Sequence, residues 1–376
     1  PWLRMSVIAI PVSTILLFVI PTGIPLVAKL IWATLAYMLW DTAYTLCDVP
    51  IFGIVTTMTL DQKERVSLNS IGRIFAIFAG IVTGIRQSLG GWATTVIVLS
   101  ILSAAMMIPM CLFAKERVIE REKARDGGAE ENYTLRDMVE CLRSNKYLLI
   151  FFAAPLISSL LNIGATWGLY IARYCLGGEE IASFVSMAVI VPTLIGAAIA
   201  VQLCKKYDKF KIFYFSYMFA LILGIVRYIA GYENMMVYVI LNALGGFPLG
   251  IAAILQYQFT PDCYEYGQYK TGLKMRGVTF AAQTFFTKLN GAIATAVSVF
   301  ALTLIGFKEG EGVIQAAGFA DKLWTFSCLG SIIGGIGTLL ILRLYKLNDH
   351  DVQLMSKCNN GEITREEAEA QMINRY

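Results

Sequence analysis

The sequence predicts an all-α, polytopic membrane protein of about ten spans, and three observations predict it. Of its 376 residues, 57% are hydrophobic and only 15% are charged, against roughly 25% charged in an ordinary soluble domain. Mean hydropathy is +0.62. The apolar residues fall in runs of about 20 or more, the length that carries a helix across roughly 30 Å of hydrocarbon. A transmembrane β-barrel would alternate over segments of about 10 residues instead, and Ile181 to Leu203 does not alternate.

In chain order, spans are expected near residues 2–20, 27–58, 68–88, 91–113, 147–174, 180–204, 210–231, 235–259, 277–306 and 322–345. The longest polar connection runs from Lys115 to Lys146 and carries Lys115, Arg117, Arg121, Lys123, Arg125, Arg136 and Arg143; the positive-inside rule makes it cytoplasmic. Counting outward places Asp61-Gln62-Lys63-Glu64-Arg65, Lys205-Lys206-Tyr207-Asp208-Lys209 and Tyr266 to Arg276 on the same side, with both ends of this chain cytoplasmic. Four spans precede the central loop and six follow it. Many secondary transporters pair two six-helix halves around such a loop, so a four-plus-six chain reads as six-plus-six without its first hairpin. The expected segments are 1–113 for the first bundle, 114–146 for the loop, 147–346 for the second bundle and 347–376 for a tail.

Inside the loop, Thr134 and Asp137 stand at capping-box spacing ahead of Leu135, Met138, Val139 and Leu142, which share one helical face, so a short surface helix is expected there. The tail from Asn348 to Tyr376 is polar, repeats the capping spacing at Thr364 and Glu367, and is expected to be solvated.

The net charge of +4 is modest and forms no basic face, which excludes nucleic-acid binding. Eight cysteines lie scattered and His350 is the one histidine, so no metal set or disulfide framework can be assembled. No nucleophile stands with a base and no loop is built to cradle phosphate, so an enzyme is not expected and no cofactor is called for.

Ionisable residues inside spans carry the functional signal, because each costs roughly 2.5–3.5 kcal/mol at a helix centre unless it finds a partner or water. Asp41 and Asp48 lie two helical turns apart with Tyr44 and Thr45 between them, which gives one polar stripe. Arg73, early in the next span, can sit beside that helix. The Asp48–Arg73 pair reads equally as a structural ion pair or as a water-exposed pair that binds a polyhydroxylated solute. Lys288 shares its span with Gln283, Thr284, Thr287 and Asn290. Arg173 and Arg227 stand near the outer ends of their spans and are expected to snorkel to the interface. Pro50, Pro192, Pro248, Gly245, Gly246 and Gly250 interrupt spans and allow kinks or close helix approach.

Two stretches carry a family resemblance. Tyr44-Thr45-Leu46-Cys47-Asp48-Val49-Pro50, then Thr59 to Arg65, then Arg73 form one; Glu265-Tyr266-Gly267-Gln268-Tyr269-Lys270-Thr271-Gly272, then Gln283-Thr284 and Lys288, form the other. In order and spacing the chain resembles the glycoside-pentoside-hexuronide:cation symporters of the melibiose permease type, a branch of the major facilitator superfamily. The resemblance covers essentially the whole chain and begins at the family's third helix. It departs at Ala253, where that type places a tryptophan, and at Asp41, which replaces a small residue.

The resemblance implies a major facilitator fold and secondary active symport of a sugar or glycoside with Na+ or H+, by alternating access in a bacterial inner membrane. It implies that Asp48 and Arg73 hydrogen-bond sugar hydroxyls, that Tyr44 and Phe52 line the pocket, and that Gln283, Thr284 and Lys288 contribute from the other half. Thr45 would face the coupling-cation site, and Asp41 would add a carboxylate there. The expected partners are the sugar and the bilayer, with the protein monomeric. The alternatives are a carrier of another solute, and a transport-incompetent or sensory membrane protein.

Overall fold

The structure is a computed structural model; it describes residues 2–21, 23–59, 64, 67–68, 71–72, 75, 92–114, 135–161, 164, 166–178, 180–274, 276–308 and 314–376. The helices fall into two units, one carrying the helices up to Phe113 and the other those from Leu135 onward.

In the first unit, α1 (Trp2–Phe18) and α2 (Leu26–Met58) form a hairpin, and α3 (Trp92–Phe113) packs against α1. The Trp32 indole N–H donates to the Leu16 carbonyl at 3.0 Å and ties the hairpin together. One face of α2 is made of small side chains, Ala36, Ala43 and Cys47, all buried, while Leu30, Leu35 and Met38 point outward. Exposed aliphatic residues on a helix this long are what a lipid environment accommodates. The third expected span, 68–88, lies almost wholly outside the described residues, as do Thr134 and the greater part of the central loop.

The second unit starts with α4 (Leu135–Ser144), the surface helix of the loop. It continues through α5 (Lys146–Leu161), α6 (Gly168–Cys175), α7 (Glu180–Leu203), α8 (Lys209–Ala230), α9 (Met235–Leu255), α10 (Phe259–Thr271), α11 (Arg276–Leu304) and α12 (Phe319–Leu342), and ends with α13 (Asp349–Asn359) and α14 (Arg365–Gln371). Among the described residues, six helical stretches are long and apolar enough to cross a membrane, and Leu3–Phe18 and Lys146–Leu161 are shorter apolar helices.

Three sequence expectations are corrected here. The span expected over 147–174 is two helices, α5 and α6. Between them Thr166 donates to the Ser298 hydroxyl at 2.6 Å, and the fully buried Trp167 donates to the Ser298 carbonyl at 3.3 Å. Gly164 also sits so close to Ser327 that a Cβ would meet its carbonyl oxygen at 3.0 Å. The bonds to α11 and the close approach to α12 outweigh the continuation of one straight helix.

The second correction is that the helix expected to end at 259 continues. A 3-10 turn at Gln256–Gln258 leads directly into α10, which stops at Gly272 with φ 74°, a left-handed conformation that glycine adopts without a Cβ clash. Tyr266 to Thr271, read as loop, is therefore helical.

The third concerns the tail, which is not solvated but folded onto the unit. Val352 and Met355 are fully buried in the same apolar cluster as Tyr147, Phe259 and Tyr266. The Tyr147 ring meets those of Tyr266, Tyr345 and Tyr376 at 4.8, 5.5 and 5.9 Å. Asp351, with no exposed surface, accepts from the Ile373 and Asn374 amides at 2.8 and 3.1 Å and from the Tyr376 hydroxyl at 2.8 Å. The Thr364–Glu367 capping box is present, with both reciprocal bonds.

Helices α7 and α9 make the most intimate pair. A Cβ on Gly250 would run into the Thr193 carbonyl, one on Gly246 would meet the Val189 carbonyl at 2.6 Å, and one on Gly196 would strike the Phe247 carbonyl. Glycine at these positions is what lets the two backbones touch.

Candidate functional site

On α2, Asp41, Tyr44, Thr45 and Asp48 stand at i, i+3, i+4 and i+7 and so share one helix face. All four retain some exposure, whereas Ala43 and Cys47 on the adjoining face are buried. The Thr45 hydroxyl donates to the Asp41 carbonyl at 2.7 Å, inside its own helix. Trp40 and Tyr44 stack with ring centroids 5.5 Å apart, and Tyr37 adds a tilted ring 5.9 Å from Trp40. The face thus offers two carboxylates beside a short aromatic ledge. Arg73 and the side chain of Phe52 lie outside the described residues.

On α11, Gln283 and Thr284 are buried and Lys288 is half-buried. Thr284 and Lys288 are one turn apart; Gln283, Thr287 and Asn290 form a second row beside them. Thr287 donates to the Gln283 carbonyl at 2.8 Å, and Asn290 accepts from Ser159 of α5. Both polar atoms of the Gln283 amide are buried without a hydrogen-bond partner. A buried, unsatisfied carboxamide costs about 1–3 kcal/mol and is a natural place for a ligand to bind. The two sets of residues belong to different units.

Arg227 does not snorkel as its position on α8 predicted. Its guanidinium donates to the Asn242 carboxamide at 3.2 Å and lies 6.0 Å from the Trp324 ring centre, beside a cavity of about 580 Å³ inside the second unit. The Arg173 guanidinium lies over the Tyr174 ring at 5.5 Å.

Sequence reasoning also missed a charged cluster at the opposite end of α8. Lys209, 5% exposed, pairs with Asp262 at 2.8 Å and Asp349 at 3.2 Å. Asp208 caps α8 by accepting from the Phe210 and Lys211 amides, and also accepts from the Asp349 amide. The cluster joins α8, α10 and α13. Its signal was present as Asp208-Lys209 at a helix start, but the partners lie 53 and 140 residues further on.

A family model described as "MFS/sugar transport protein" matches residues 1–349. The chain belongs to this family. A major facilitator transporter, it is 23% identical over 360 residues to the uncharacterized symporter YjmB of Bacillus subtilis, covering 93% of this chain and 76% of that one. It is 25% identical over 371 residues to a lactose permease of Lactobacillus helveticus, covering 92% of this chain and 54% of the permease. In fold, the transporter resembles a bacterial homologue of the iron transporter ferroportin, with a TM-score of 0.63 at 12% identity, over 92% of this chain and 82% of that one. The all-helical membrane architecture read from the sequence is that of this family.

Proposed function

We propose that this major facilitator protein carries a sugar or glycoside together with Na+ or H+ by alternating access, two helix bundles opening in turn to either side of the membrane. The observation that carries the reading is the α2 face, which holds Asp41 and Asp48 seven residues apart in a 33-residue helix that carries no other charged residue between Trp32 and Met58. The kinship with a lactose permease supports a sugar as cargo.

The chemistry fits polyhydroxylated cargo. Asp48 accepts from sugar hydroxyls, Arg73, Lys288 and the Gln283 amide donate to them, and Thr284 does either. Tyr44 offers a ring to the apolar face of a pyranose, with Phe52 lining the same pocket. Thr45 and Asp41 face the coupling cation. A charged carboxylate inside the membrane is costly, so neutralisation of Asp41 by Na+ or a proton links cation binding to the return of the carrier. The basic connections support an orientation with both ends of this chain cytoplasmic, by the positive-inside rule.

The test is uptake of a labelled panel of sugars and glycosides by proteoliposomes under an inward Na+ or proton gradient. Gradient-driven, saturable uptake that is lost in Asp48→Asn is expected. Uptake unchanged in that variant, or no uptake of any glycoside under either gradient, overturns the proposal.

A further inference from the structure

The cavity of about 580 Å³ is a half-open cleft lined by α5–α9 and α12, all within the second unit. Leu169, Val185, Leu221 and Leu249 give it apolar wall, the hydroxyls of Ser186, Ser216 and Ser331 on the lining donate to the backbone carbonyls of Ala182, Pro248 and Ser327, and its charged group is Arg227, beside Asn242. Arg227 belongs to none of the ion pairs among the described residues. Its Nε is buried without a hydrogen-bond partner, and the Asn242 carboxamide is held in place by its own bond to the Tyr238 carbonyl at 2.8 Å.

A guanidinium in a membrane-embedded cleft is expensive unless an anion neutralises it, and its fork geometry suits a carboxylate. The neutral Asn242 supplies no countercharge. One positive charge calls for one negative charge, and a dianion would leave charge uncompensated. The volume lies within the range of small-molecule sites and far exceeds a lone ion, while the apolar wall calls for hydrocarbon.

We propose that this cavity is a binding site for a single-chain carboxylate amphiphile, its carboxylate on Arg227 and Asn242 and its chain along α7 and α9. The site lies wholly within one unit and does not depend on the sugar-binding residues of α2 and α11.

Because Trp324 lies beside Arg227, at the carboxylate end of the site, 2-bromoundecanoate is a direct probe, since its bromine, on the carbon next to the carboxylate, quenches tryptophan on contact. The full chain is placed in zwitterionic lipid nanodiscs and titrated with the probe. Saturable quenching is expected, absent in Trp324→Phe, retained in Arg227→Lys, and shifted at least about tenfold to higher concentration in Arg227→Gln, as loss of a charge-assisted bond requires. Equal quenching by neutral 2-bromoundecan-1-ol signifies partition into the bilayer and overturns the proposal, as does an unshifted Arg227→Gln. Acetate that displaces the probe at the concentration at which undecanoate does makes the ligand a small anion and also overturns it. Should Arg227→Gln fail to fold, the comparison of acid with alcohol on the unmodified chain decides alone.

Discussion

The Lys209 ammonium and the Asp262 carboxylate meet at 2.8 Å with 6% and 8% of their side chains exposed. Two charges removed from water to that degree hold each other in place rather than add net stability, because their desolvation offsets much of their attraction. Removing one partner alone is therefore the damaging change. Lys209→Met, which leaves Asp262 and Asp349 facing each other, is expected to cost about 3–5 kcal/mol in fluorescence-detected thermal unfolding. Lys209→Met combined with Asp262→Leu is expected to recover most of that loss, and a double variant no better than the single one would refute the account.

The contact of α7 with α9 makes a second prediction with an internal control. Gly250→Ala puts a methyl group into the Thr193 backbone, whereas Gly245→Ala meets nothing within 4 Å. Backbone cannot move aside as a flexible side chain does, so Gly250→Ala is expected to destabilise by about 1–3 kcal/mol. Gly245→Ala should be neutral or stabilising by up to about 1 kcal/mol, since alanine loses less entropy in a helix. Thermal midpoints of the two variants in the same detergent check both signs.

The tail prediction follows from ionisation at Asp351 and Tyr376. Burial pushes the Asp351 carboxyl upward, but the bonds from the Ile373 amide, the Tyr376 hydroxyl, Asn348 and the Asn374 amide outweigh it and hold the group below its usual 3.8. Its contribution is thus present above that value and lost as pH falls through the lower, folded one. Tyr376 is shifted upward, by burial first and then by its bond to the Asp351 carboxylate. Its contribution is present below its ordinary 10.0 and fades as pH rises through the folded value. Tail docking is expected to be firm at neutral pH and to weaken at both extremes. At neutral pH, Asp351→Asn should release Tyr376 to carboxypeptidase several-fold faster than the unmodified chain, and equal rates would show that the carboxylate does not hold the tail.

What was legible in the sequence divides along the reach of the interactions. The shared face of Asp41, Tyr44, Thr45 and Asp48 follows from helical periodicity alone, and the α8 and α12 spans follow from the length of their apolar runs. Asp262 and Glu265 made α10 look like a polar loop; it is a helix because Lys209 neutralises the first and Asn359, from the tail, donates to the second at 3.0 Å. Neither partner is near in sequence. Arg227 was read as an interfacial anchor from its distance to the end of α8, and the pattern of one helix does not reveal that Asn242 and Trp324 face it. The interruption between α5 and α6 was hidden because Ser298, the residue that captures Thr166 and Trp167, lies 132 and 131 residues downstream of them. Arg73 and the side chain of Phe52 stay with the sequence reading, since the described residues do not include them.

Gln283 offers the sharpest separation of structure from transport. Its amide is buried with neither polar atom satisfied, so in the absence of a ligand it costs the fold free energy rather than supporting it. Gln283→Leu, close in size and without polar atoms, should therefore leave the thermal midpoint unchanged or raise it. If the amide binds sugar hydroxyls, the same change removes one or two hydrogen bonds made only to the cargo, and sugar KM in proteoliposomes should rise about tenfold or more. Gln283→Glu keeps an acceptor but loses the donor and adds a buried charge, so it should lose both stability and uptake. A Leu variant that is stable yet transports with an unaltered KM would remove Gln283 from the binding site; a variant that loses stability would show that the amide has a structural partner, and uptake would then no longer report on recognition alone.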